Sequence, residues 1–115
     1  MGLKIDKRET EFSKLFPQDM ELYYDVMKRY IQLTPEDFAG AYRLSQDALV
    51  MEDRFANLTA SAGKLALSNQ VSKANKSDIK DFCYRKLKIM EYIHEQARMV
   101  WNKGEQGERR KRVGT

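Results

Sequence analysis

The chain has 115 residues, a net charge of +4 and a charged fraction of 33%, with two prolines, one cysteine and one histidine. That length supports one domain or one protomer of an assembly, and the composition suits long solvated helices. The lone cysteine, Cys83, cannot form an internal disulfide, which argues against a secreted disulfide scaffold and for a reducing cytosol.

No N-terminal stretch resembles a signal peptide, because charged residues interrupt each apolar run. No run approaches the ~18 apolar residues of a membrane span, so no membrane partner is expected. Met1-Gly2 opens like a myristoylation signal, but Asp6 stands where serine or threonine is required.

Residues 1–17 are an N-terminal arm or a short amphipathic helix. Ile5, Phe12, Leu15 and Phe16 supply its apolar side, and Phe16-Pro17 supplies the stop. Residues 18–33 read as a helix. Met20, Tyr23, Tyr24, Met27, Tyr30 and Ile31 fall on one stripe, widened by Leu22, Val26 and Leu33. Its tyrosines can bury their rings and leave the hydroxyls at the edge.

Thr34-Pro35-Glu36-Asp37 predicts the start of the next helix, with Thr34 as cap, Pro35 in the first position and acids at the positive end of the dipole. This is a structural device and carries no chemistry. Gly40 suggests a close helix crossing. From Ala41 through Leu44, Ala48, Met51, Phe55, Leu58, Ala62 and Leu65 the steps alternate three and four. That spacing is a heptad seam on a helix over 35–66, roughly 45 Å long at ~1.5 Å per residue.

Such a stripe needs a partner. The nearest is a helix over 78–102, with Ile79, Cys83, Met90, Ile93, Ala97 and Val100 at similar spacing. Lys86 occupies one seam position, its stem packed and its head reaching water. Residues 66–77 are polar and small and read as the connection, after which Ser77 caps. Gly104 reads as the stop. The expected fold is all-α, a long antiparallel helical hairpin with a shorter N-terminal helix, completed by oligomerisation. Helical residues span 18–104, and 105–115 form a basic disordered tail. Trp101 is expected to pack under helix 18–33, with a subunit contact as the alternative.

The residues offer little catalytic chemistry. His94 is the only histidine and reads as a seam-edge residue. Glu91-x-x-His94 occurs once, whereas di-iron bundles need a second copy and two more glutamates. Cys83 reads as a small buried apolar residue. No phosphate loop or nucleophile–base pair can be nominated, so no enzyme, metal or cofactor is expected.

Charge is more informative. Lys103, Arg109, Arg110, Lys111 and Arg112 face only Glu105 and Glu108 in the last segment, and Lys73, Lys76 and Lys80 cluster near the connection. Arg109, Arg110, Lys111 and Arg112 form one candidate DNA-binding set and Lys73, Lys76 and Lys80 another. Both would neutralise phosphates without reading bases. The ordinary alternative is a solvated basic tail. The helices are too long for a helix-turn-helix.

Leu33-Thr34-Pro35-Glu36-Asp37-Phe38 followed by Tyr42 resembles the start of the long hairpin in small terminase subunits of tailed double-stranded DNA phages. Ser68-Asn69-Gln70 and Lys73-Ala74-Asn75-Lys76 stand where that family has its polar connection. Asn75-Lys76 replaces the family's frequent Asn-Pro, and Met99-Val100-Trp101 replaces a Leu-Gly-Leu-type ending. The resemblance spans residues 33–102. It implies a non-enzymatic DNA-packaging component that forms a ring or other homo-oligomer, binds viral DNA and presents it to the large terminase subunit in the bacterial host cytosol. The competing expectation is a small helical interaction module, a regulator or inhibitor, with Trp101, Tyr23 and Tyr30 as anchors.

Overall fold

The computed structural model describes residues 13–62 and 76–113, with side chains over 13–62 and 77–105. These residues form three helices, α1 (Pro17–Gln32), α2 (Phe38–Ala60) and α3 (Lys76–Val113), and no strand occurs among them. The body is elongated, 65 × 31 × 18 Å.

Pro17 opens α1 in the first turn, where its missing N–H is no loss. Met20, Tyr23 and Val26 are its buried residues, about one per turn along a single side, and Phe16 is buried just ahead of it. The helix ends at Leu33, which turns extended and donates its N–H to the Tyr30 carbonyl at 3.1 Å.

The start of α2 differs from expectation. Thr34 does not cap the helix. Residues 34–37 form a turn closed by the Asp37 N–H on the Thr34 carbonyl at 3.2 Å. Asp37 is the cap, its carboxylate accepting the Gly40 N–H at 2.9 Å. Proline fits the second position of a turn as well as the first turn of a helix, and here the turn prevails. Gly40 serves this cap, because a Cβ there would strike the Asp37 carboxylate.

Along α2, Ala41, Leu44, Ala48, Met51 and Phe55 are buried and Leu58 is half-buried, and Ala62 is buried just past its end. Leu65 lies outside the described residues. Ser45 is buried beside the seam, its hydroxyl satisfied by the Tyr42 carbonyl at 2.7 Å. On α3 the buried set is Ile79, Phe82, Cys83, Lys86, Met90, Ile93, Ala97 and Gly104.

The two long helices lie along each other with opposite chain direction. Phe38 meets Gly104, Tyr42 meets Trp101, and Glu52 meets His94. Helix α1 crosses onto both. Tyr23 stands edge-on to Phe55, with centroids 5.6 Å apart, and Phe16 packs on Phe82 at 5.9 Å. Arg29–Asp47 (2.6 Å) and Arg54–Asp19 (2.7 Å) flank that contact.

Two expectations for α3 are corrected. The Lys86 head lies among aromatic rings. The residue is 9% exposed, with its ammonium 5.0 Å from the centroids of both Tyr23 and Phe82, where ring faces attract the cation. Gly104 does not stop the helix, which continues to Val113, so residues 105–113 are helical rather than a disordered tail. The glycine answers to packing, because a Cβ at Gly104 would occupy the place of the Phe38 ring.

Candidate functional site

The described members of the two basic sets lie toward opposite ends of α3. Arg109, Arg110, Lys111 and Arg112 fall on its last turns, with side chains outside the described residues. Lys73 lies outside the described residues altogether, as does the side chain of Lys76. Lys80 is exposed near the beginning of α3. At ~1.5 Å per residue, Lys80 and Arg109 are roughly 44 Å apart along the axis, so the fold does not merge the sets into one surface. Near Lys80, Arg85 pairs with Asp81 at 3.2 Å and Lys88 with Glu91 at 3.3 Å. That carboxylate pushes the Lys88 pKa up.

The proposed anchors divide. Tyr23 is core, 1% exposed, and presents no ring to a partner in this fold. Tyr30 is half-buried, edge-on to Tyr92 at 6.1 Å. Hydrogen bonding with Tyr92, and then burial, raise its hydroxyl above the ordinary pKa. Trp101 packs neither under α1 nor away from the chain. It is half-buried against Tyr42 of α2, with centroids 5.2 Å apart and planes at 49°.

Two surface features follow. One is a cleft of about 330 Å³ lined by Phe38, Ala39, Tyr42, Trp101, Gly104 and Glu105. The other is a groove of about 350 Å³ between α1, the turn and α3, lined by Tyr30, Ile31, Leu33, Pro35, Gln96 and Val100 among others. Ile31 is the most exposed large apolar residue described, at 71%, and Tyr92 is 57% exposed. Sequence reasoning took Tyr42 only as a motif residue and Phe38 as the end of one. Their i, i+4 spacing places both on one side of α2, but only the pairing with α3 shows that Trp101 completes the cluster.

The residues considered for chemistry are occupied structurally. Cys83 is fully buried and its thiol is pushed up to about 12, first by burial and then by the Asp19 charge. It is a neutral thiol at ordinary pH and no nucleophile. The His94 Nδ1 lies 3.4 Å from Glu52 of α2, bridging the long helices. Among the described residues, no three or more histidine, cysteine or acidic side chains are grouped to hold a metal. No helix of the described residues is long and apolar enough to cross a membrane. Comparison with protein-family models, with curated proteins and with solved structures finds no match.

Proposed function

We propose that this chain is a non-enzymatic DNA-binding assembly protein of the small terminase kind. In this reading α2 and α3 are the arms of one hairpin joined through residues 63–75. Copies associate side by side into a ring or other closed homo-oligomer, and DNA is held by backbone charge for a large terminase subunit in the host cytosol. One observation carries the reading. Helix α3 runs past Gly104, where α2 begins, and takes Arg109, Arg110, Lys111 and Arg112 beyond the start of its neighbour. Cations at a helix C-terminus also complement its dipole. A helical basic extension beyond the body is suited to phosphates.

Light scattering on a sizing column at two salt concentrations tests the assembly, and anisotropy of labelled duplex DNA tests the binding. The expected result is a closed assembly above a dimer that persists at high salt, with DNA affinity that falls steeply with salt. A monomer that ignores DNA refutes the proposal.

The second reading, a helical protein-interaction module, is favoured by the exposed Ile31 and Tyr92 beside the apolar groove. It predicts binding to a protein partner without DNA affinity.

A further inference from the structure

The end of the molecule where α2 begins carries apolar surface on both flanks of α3. Ala97 is fully buried and marks the inner line of that helix. At ~100° per residue, Gln96, Val100 and Lys103 fall to one side of that line and Trp101 and Glu105 to the other. The first flank holds the groove against α1, where Ile31 stands 71% exposed and Tyr92 and Met99 add exposed apolar surface. The second flank holds the cleft, whose Phe38 and Tyr42 rings are 40% and 44% exposed. Single exposed apolar residues are ordinary, whereas grouped ones mark contact surfaces.

The two surfaces are complementary. Ile31 lies in the last turn of α1 and offers its side chain to solvent. The cleft is a hollow of about 330 Å³, ample for a branched aliphatic side chain. Gly104 shapes it by lacking a Cβ, which lets the Phe38 ring lie on the backbone of α3. The margins differ in charge, because Lys103 is exposed on the groove flank and Glu105 forms part of the cleft wall. The surfaces are also level. Val100 lines the groove and Trp101 the cleft, and these neighbours are ~1.5 Å apart along the axis. Ile31 cannot enter the cleft of its own chain, because α3 stands between them, so a second copy must supply the side chain that fills it.

We infer that Ile31 of one copy inserts into the Phe38–Tyr42–Trp101 cleft of the next, with Lys103 beside Glu105, in a head-to-tail contact between parallel copies. The inference rests on the reading of the chain as an assembling protein and assigns that assembly its interface. A contact between unlike surfaces leaves one of each kind free on the end copies, so it repeats. Because the surfaces are level, each repeat turns the copies about an axis along the helices with little rise, which is what closes a ring instead of extending a filament.

The test uses the full chain, with light scattering on a sizing column for mass and circular dichroism for helix content. Ile31→Glu spoils the inserted side chain. Ala39→Glu spoils the cleft, since Ala39 is exposed on its wall and an acid in the first turn of α2 suits the helix dipole. The unsubstituted chain is expected above a dimer. Each variant alone is a monomer of unchanged helix content. An equimolar mixture of the two forms a dimer and nothing larger, because one intact Ile31 meets one intact cleft. Lys103→Glu weakens the assembly, and adding Glu105→Lys restores it. An assembly above a dimer that both variants retain overturns the interface and leaves the assembly reading standing; a small apolar ligand or residues 1–12 in the cleft would give that result. A mixture that stays monomeric overturns the head-to-tail pairing. A monomeric unsubstituted chain overturns both the interface and the assembly.

Discussion

Phe55→Ala probes the seam where all three helices meet. Phe55 is fully buried, and Tyr23 of α1 stands edge-on to it at 5.6 Å and 83°. Burying such a side chain is worth ~1.5–3 kcal/mol in transfer alone. The cavity left behind brings a Phe→Ala change to ~3–5 kcal/mol, and the lost edge-on contact favours the upper half of that range. A domain of this size has ~5–15 kcal/mol in total, so the variant is expected to fold but marginally. Urea unfolding followed by circular dichroism is the assay. With a slope of ~1.5 kcal/mol per molar urea, the midpoint should fall by roughly 3 M. Val50→Ala, on the solvent side of the same helix at 52% exposure, should move stability by no more than ~0.5 kcal/mol. A loss below ~1 kcal/mol for Phe55→Ala would refute the three-helix core described here.

Asp37→Ala removes the cap on Gly40 and should cost ~0.5–2 kcal/mol, with Asp37→Ser recovering most of it in thermal melts. Thr34→Ala, by contrast, should cost little, because its side chain is not the cap. Cys83 should resist alkylation at pH 8 in the native chain and react on unfolding, as its buried thiol is pushed up to about 12. Because that value lies above the unfolded one, the stability linked to the neutral thiol is complete below the ordinary thiol pKa of ~8.5 and is lost as pH rises toward 12. A pH series of urea midpoints from neutral to alkaline checks the sign. Replacing Arg109, Arg110, Lys111 and Arg112 with glutamine should lower duplex affinity for all sequences. If all four contact phosphates, the slope of log affinity against log salt should shrink by roughly 3–4.

The all-helical class was legible in the sequence because the apolar spacing is unbroken. From Ala41 to Ala62, steps of three and four were enough to identify the buried side of α2. What local pattern could not supply was the purpose of individual signals. Thr-Pro-Glu-Asp fits a helix start at either end, and only the backbone shows that Asp37 reaches Gly40. Glycine after a long helix normally means termination, yet Gly104 makes room for a ring from a residue 66 positions away. Lys86 carries a charge on a seam, and solvent was the default destination for its head. The rings of Tyr23 and Phe82, from two different helices, provide another. The Tyr42–Trp101 cluster was illegible for the same reason, since it depends on how far α3 slides along α2.

The attachment of α1 has a consequence for how the molecule opens. Helix α1 contributes four buried apolar residues, including Phe16 at its entry, whereas α2 and α3 share a seam many turns long. The ion pairs beside it, Arg29–Asp47 and Arg54–Asp19, are partly exposed and therefore weak and screened by salt. Such an arrangement gives two tiers of protection against hydrogen exchange. Amides of α1 should exchange through a subglobal opening that becomes easier as ionic strength rises. The central amides of α2 and α3 should await global unfolding.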